Sequence, residues 1–142
     1  MNSSKDKKII SDRAPEPVGA YPHARRVGDL LYLSGVGPRQ KNSKIIPGVT
    51  LNDKNEILTY DVEVQTHAVI NNIKTVLEDS GLTLKDLVDV QVYLTNMKKD
   101  FKIFNRVYAE YFDVETGPCR TTIEVGALPT PIAVEIKALA KF

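Results

Sequence analysis

Residues 87–112, LVDVQVYLTNMKKDFKIFNRVYAEYF, change their hydrophobic period halfway along. Val88, Val90, Val92 and Leu94 alternate with Asp89, Gln91 and Tyr93, which is the period-two pattern of a half-buried strand. From Asp100 the period becomes 3.6. Phe101, Phe104, Val107, Tyr108, Tyr111 and Phe112 then share one side of a helix that Gly117-Pro118 must end. A strand running straight into an amphipathic helix calls for a sheet whose apolar face the helix can cover.

The flanking segments repeat this grammar. Val62, Val69, Ile70, Ile73, Val76 and Leu77 recur at helical spacing, with Asp61 at a capping position and Gly81 just past the end, so a helix is expected over 61–80. Thr83 and Asp86 bracket a short capped turn. Downstream, 120–125 and 132–139 alternate as strands around the Pro129/Pro131 turn. Upstream, ARRV and LLYLSGV around Gly28-Asp29 read as a hairpin. Residues 36–60, rich in Gly, Pro, Asn, Asp and Lys, read as a long irregular connection, and residues 1–16 as a flexible or edge-lying arm. Residues 17–142 then form one domain. The order β-β-α-β-α-β-β predicts an α+β two-layer sandwich, one mixed sheet with both helices on one face. The opposite face must be polar or covered by oligomerisation.

Composition limits what such a domain can be. Hydrophobic residues make up 42% and charged residues 26% of 142, the balance of a soluble globular chain. Nineteen Lys+Arg against 18 Asp+Glu leave a net charge of +1, so no nucleic-acid partner is expected. One cysteine, Cys119, and two histidines, His23 and His67, make neither an intrachain disulfide nor a standard zinc site. The opening MNSSKDKK lacks the apolar region of a signal peptide and no apolar run is long enough to span a bilayer, so the expectation is a cytoplasmic protein with no membrane partner. Phosphate-cradling glycine motifs are absent. His67 lies on the polar side of its helix and reads as solvated, and Cys119 reads as a small packed hydrophobe.

Two residues stand out in the C-terminal strands. Arg120 opens one strand, where its planar fork could take a carboxylate, and Glu135 interrupts the apolar run IAVEI, a placement that calls for a partner or a task. A structural ion pair between them and a functional site are both open readings at this level.

The segments PVGAYPHARRVGDLLYLSG, NNIKTVLEDSG, VDVQVYLTNM, FNRVYAEYF and GPCRTTIEVGALPTPIAVEIKALA resemble the RidA/YjgF family of enamine/imine deaminases over about residues 17–142. Within it, AYPHARRVGDLLYLSGVGPRQ, PCRTT and LPTPIAVEIKA are most similar to the 2-aminomuconate deaminases. The resemblance implies a chorismate-mutase-like fold, a homotrimer with active sites between subunits, a small-molecule carboxylate substrate, and no metal or organic cofactor. It assigns carboxylate binding to Arg120, the acid beside the attacking water to Glu135, a cleft tyrosine to Tyr21, a substrate-facing backbone position to Gly35 and a polar cleft residue to Asn105. Where the family often has Cys or Ser, this chain has Thr122, a further substrate-contacting position. The activity implied is hydrolytic deamination of 2-aminomuconate to 2-oxohex-3-enedioate (4-oxalocrotonate) and ammonia in aromatic-compound catabolism. A general 2-iminobutanoate/2-iminopropanoate deaminase and a non-catalytic trimeric binding or chaperone-like protein are the alternatives. A dicarboxylate substrate asks for a second cation, for which Arg39 comes first and Arg25, Arg26 and His23 follow.

Overall fold

The structure is a computed structural model and describes residues 5–142. Its elements in chain order are β1 (Asp6–Ile9), β2 (Ala24–Val27), β3 (Leu30–Leu33), β4 (Val49–Leu51), β5 (Ile57–Tyr60), α1 (Val62–Asp79), a 3-10 turn (Leu84–Asp86), β6 (Leu87–Leu94), α2 (Met97–Tyr108), β7 (Cys119–Glu124) and β8 (Val134–Lys141). Six strands form one sheet in the order β1-β2-β3-β8-β6-β7. Only β6 and β7 run parallel, because α2 carries the chain back between them, so the sheet is mixed.

Alternation along the central strands decides which face is buried. Val90, Val92 and Leu94 of β6 and Val134, Ile136, Ala138 and Ala140 of β8 pack with Val69, Ile73, Val76 and Leu77 of α1 and Phe104 of α2. Both helices therefore lie on one face, and the α+β two-layer sandwich is present as expected. The other face carries Asp89, Tyr93, Glu135, Lys137 and Leu139 together with Tyr32 and Ile123, which are 43% and 44% exposed.

Local chemistry sets the helix ends. Asp61 accepts from the backbone N–H groups of Glu63 and Val64, and Gly81 takes φ +85° just beyond α1. The second helix begins earlier than expected, at Met97, because the Asn96 side chain caps it by accepting from Lys99 N–H. Asp100 is instead buried one turn in, accepting from the Tyr60 hydroxyl at 2.7 Å.

One expectation needs amending. The connection 36–60 is not wholly irregular: β4 and β5 form a separate ribbon, with the Thr50 and Thr59 hydroxyls 2.6 Å apart and Asn55 turned through φ +61°. The ribbon is short and mostly exposed, so no buried face imprints a period of two on it. The N-terminal region meets the sheet at its edge. Its residues 1–4 lie outside the described residues, and from Asp6 the chain adds the edge strand β1 to β2. His23 holds the next turn: its Nδ1 accepts from Ser11 N–H at 3.0 Å, which puts the ring proton on Nε2, and Nε2 donates to the Pro15 carbonyl at 2.8 Å. Arg13 and the Ser11 hydroxyl both bind the Asp79 carboxylate at the end of α1.

Candidate active site

Register places Arg120 beside Val90 and Thr122 beside Val92, so both side chains project to the helix-covered face of the sheet. Since β7 is the edge strand, Arg120 emerges past β6 and under α2 rather than into the closed core. There Nη2 donates to Asn105 Oδ1 at 2.7 Å, and the guanidinium carbon lies 4.7 Å from the Tyr108 ring centre and 5.4 Å from that of Phe104. Stacking and a single side-chain bond fix the plane of the fork while using one of its five N–H donors. Tyr108 completes this wall. Its hydroxyl and the Thr122 hydroxyl are both buried without a hydrogen-bond partner among the described residues.

Glu135 belongs to the other face. It pairs with Tyr93 in register, between Val134 and Ile136, which are 0% and 1% exposed. The backbone of Val36 exchanges two hydrogen bonds with Ile136, which draws the chain after β3 across β8. This brings Gly35 so close that a β-carbon there would stand 2.9 Å from Glu135 Oε2. Burial pushes the Glu135 carboxyl above its ordinary value, and the charge of Arg39 offsets part of that rise. Arg39 itself donates to the Glu16 carbonyl at 2.7 Å, and Asn72 on α1 holds the loop by donating to the Gly37 and Arg39 carbonyls. Gly35, Gly37, Arg39, Asn72, Ala14 and Pro15 line a small concavity.

The chain thus brings the sequence-predicted residues together in two groups, Arg120 with Asn105 and Thr122, and Glu135 with Gly35 and Arg39. It does not unite the groups, because their side chains leave opposite faces of one sheet. An ion pair between Arg120 and Glu135, one of the readings open from sequence, is absent among the described residues. Tyr21 joins neither group by a hydrogen bond. It is 41% exposed, its hydroxyl accepts from Val18 N–H at 3.2 Å, and its ring lies against Gly19.

Several other positions differ from their reading. His67 is not simply solvated, since Nδ1 lies 2.6 Å from the Tyr111 hydroxyl, a partner that comes from beyond α2 and leaves no local signal. Cys119 is exposed rather than packed, because β7 is an edge and residue 119 faces away from α2. Lys137 carries no sequence signal of its own. It is half-buried beside Glu135, its ammonium donates to the Leu33 carbonyl, and burial pulls its pKa down. The helical spacing of Tyr108 reports its ring and not its hydroxyl. Among the described residues no group of three His, Cys, Asp or Glu could hold a metal, and no helix is long and apolar enough to cross a membrane.

The chain is similar to known proteins over most of its length. A family model described as Endoribonuclease L-PSP matches residues 11–142. A RutC family protein of Saccharolobus solfataricus is 40% identical over 133 residues, 94% of this chain and 95% of its own. Among solved structures, the YjgF gene product of E. coli is similar with a TM-score of 0.79 at 27% identity, covering 95% of this chain and 98% of its own. E. coli TdcF with bound serine has a TM-score of 0.80 at 28% identity, covering 96% and 98%.

Proposed function

The chain belongs to the Endoribonuclease L-PSP family, the RidA/YjgF family of its sequence resemblance, and from that premise we propose a cofactor-independent deaminase that hydrolyses an enamine or imine carboxylate. The observation that carries this reading is the Glu135 carboxyl, half-buried against the bare backbone of Gly35 and held above its ordinary pKa. Burial makes this carboxyl hold its proton more tightly than a free one, which suits a group that must both give and take a proton, and the glycine leaves room for a substrate at its side. Arg120 supplies what Glu135 lacks, an always-charged planar fork for the substrate carboxylate. An enamine held by that fork becomes the imine as one proton is added to carbon and one is lost from nitrogen. Water, oriented by Glu135, then adds to the imine carbon, and the carbinolamine collapses to the ketone as nitrogen leaves as ammonia. Glu135 accepts one proton as water adds and passes it to nitrogen, then carries the carbinolamine hydroxyl proton to nitrogen as the C–N bond breaks, so it ends as it began.

The two groups complete one another only between copies of the chain. A homotrimer that covers the open face of the sheet, with Tyr32, Tyr93, Ile123 and Leu139 on it, would set the Arg120 group of one subunit against the Glu135 group of the next. The substrate is 2-aminomuconate, converted to 2-oxohex-3-enedioate, with Arg39 as the second cation for its distal carboxylate; the nearness of Arg39 to Glu135 and Gly35 supports this. A second reading is the general 2-iminobutanoate/2-iminopropanoate deaminase, favoured by the bound serine of TdcF, a small monocarboxylate.

The test is ammonia release from freshly generated 2-aminomuconate beside the imine of a small neutral amino acid, with wild type, Arg120→Ala, Glu135→Ala and Arg39→Ala. Turnover selective for the dicarboxylate, lost in the first two variants and made unselective in the third, is expected. Turnover of the small imine alone selects the second reading. Inactivity on both, with a carboxylate still bound, leaves a binding protein, and cleavage of RNA would bring forward the activity in the family model's name.

A further inference from the structure

The ladder between β3 and β8 changes register beside Glu135. Tyr32 stands opposite Leu139, and pairing resumes with Val36 opposite Ile136, so three residues, Leu33, Ser34 and Gly35, face two, Lys137 and Ala138. One extra residue in a strand is a β-bulge, which bends the chain and re-aims what it carries. Here it carries Gly35, where a β-carbon would stand 2.9 Å from Glu135 Oε2. Most of the bulge is held by backbone and hydroxyl bonds. Val36 exchanges two with Ile136, while Ser34 donates its N–H to the His23 carbonyl at 3.0 Å and its hydroxyl to the Pro22 carbonyl at 2.7 Å. The Leu33 carbonyl, at the start of the bulge, is instead taken by a side chain, the Lys137 ammonium.

A neutral carbonyl is a costly partner for this lysine. Lys137 is half-buried and makes no ion pair among the described residues, and burial pulls its pKa down, a penalty that an exposed lysine does not carry. Register sets it on the same face of β8 as Glu135, one opposite Gln91 and the other opposite Tyr93. Successive side chains on that face thus meet the two ends of one bulge, Lys137 at Leu33 and Glu135 at Gly35. We propose that Lys137 is a positioning residue for Glu135: by gripping the Leu33 carbonyl it fixes the bulge, and the fixed bulge lays the Gly35 backbone against the carboxyl. This rests on Glu135 being the proton carrier of the proposed deaminase and names what sets its surroundings. Lys137 acts through the backbone and needs no contact with substrate.

The experiment compares the assembled wild type with Lys137→Met, which removes the donor, Lys137→Gln, whose donor is on a shorter stem, and Lys137→Arg, which keeps charge and donors. Three readouts are taken: amide hydrogen exchange at Ser34 and Val36, the pH titration of the Glu135 carboxyl by carbon NMR, assigned by its absence from Glu135→Gln, and kcat and KM for ammonia release. Loss of one hydrogen bond from a charged donor predicts exchange about tenfold faster at both amides in Lys137→Met and Lys137→Gln, with mid-strand Leu31 unchanged. A loosened bulge uncovers Glu135, so its titration moves down toward the ordinary value of 4.5, whereas loss of the lysine charge alone would move it up. The kcat is expected to fall about tenfold with KM within about twofold, and Lys137→Arg to return all three readouts toward wild type. Wild-type exchange at Ser34 and Val36 in Lys137→Met overturns the proposal, and so does a Glu135 titration that stays or rises. Exchange accelerated across the whole sheet, with a lowered melting temperature, also overturns it, since Lys137 is then a general support of the fold. Exchange and titration need no turnover. If both change as expected while no imine yields ammonia, the deaminase falls and the grip on the bulge stands, whereas ammonia release at wild-type kcat from Lys137→Met does the reverse.

Discussion

Replacing Gly35 by alanine would put a methyl carbon 2.9 Å from Glu135 Oε2, too close for either atom to stay. The carboxylate is the end of a flexible side chain, so it moves and the backbone does not. Gly35→Ala is therefore expected to melt within a few degrees of wild type while kcat falls about 100-fold, the scale of a 1 Å displacement of a catalytic group. Arg120→Lys tests the fork in the same manner: a point charge replaces two parallel donors, and kcat/KM should fall about tenfold or more with the fold retained. Glu135 also leaves a mark on stability. Its folded-state pKa is raised, so the folded chain holds the proton more tightly than the unfolded chain. That share of stability is complete below the ordinary value of 4.5 and is lost as pH rises through the raised value. Urea titrations should show Glu135→Gln gaining on wild type from pH 4.5 upward and drawing level below it. Glu135 stood out in the sequence because a charge in a strand of apolar neighbours asks for a reason, and Arg120 because it opens a strand with a fork that suits a carboxylate. Lys137 and Tyr108 were not, since their significance lies in the Leu33 carbonyl and the Arg120 guanidinium, contacts that no local pattern encodes.

At the scale of elements, the legible pieces were those with a buried face. Both helices, the β2–β3 hairpin and the C-terminal strands each write a period into the chain because alternate positions meet the core. The β4–β5 ribbon has no such face, and β1 is a short edge strand of which only Ile9 is buried. Helix starts were less legible than helix bodies. Asp100 looked like a first-turn residue, but Asn96 caps α2 and Asp100 is turned inward to receive the Tyr60 hydroxyl at 2.7 Å. This contact ties the ribbon to α2, the helix that stacks Asn105 and Tyr108 against Arg120. Tyr60→Phe would leave the Asp100 carboxyl, 1% exposed, without its hydrogen bond. A loss of about 2 kcal/mol in chemical denaturation is expected, the worth of one hydrogen bond to a charged group.

The whole molecule poses the question that strand parity could not answer. Alternation along β7 and β8 orders each strand's side chains, but which face each strand turns toward the helices depends on register. The register sends Arg120 to the helix side and Glu135 to the open side, so one chain holds two incomplete halves of the proposed site. In the proposed trimer these halves meet between copies. Co-expression of Arg120→Ala and Glu135→Ala chains tests it directly, since each variant alone is expected to be inactive. If every site takes Arg120 from one subunit and Glu135 from its neighbour, random mixing in a closed ring leaves about a quarter of the sites with both residues intact. The mixed assemblies are expected to recover about that fraction of wild-type ammonia release. Mixed assemblies no more active than their parents would contradict it.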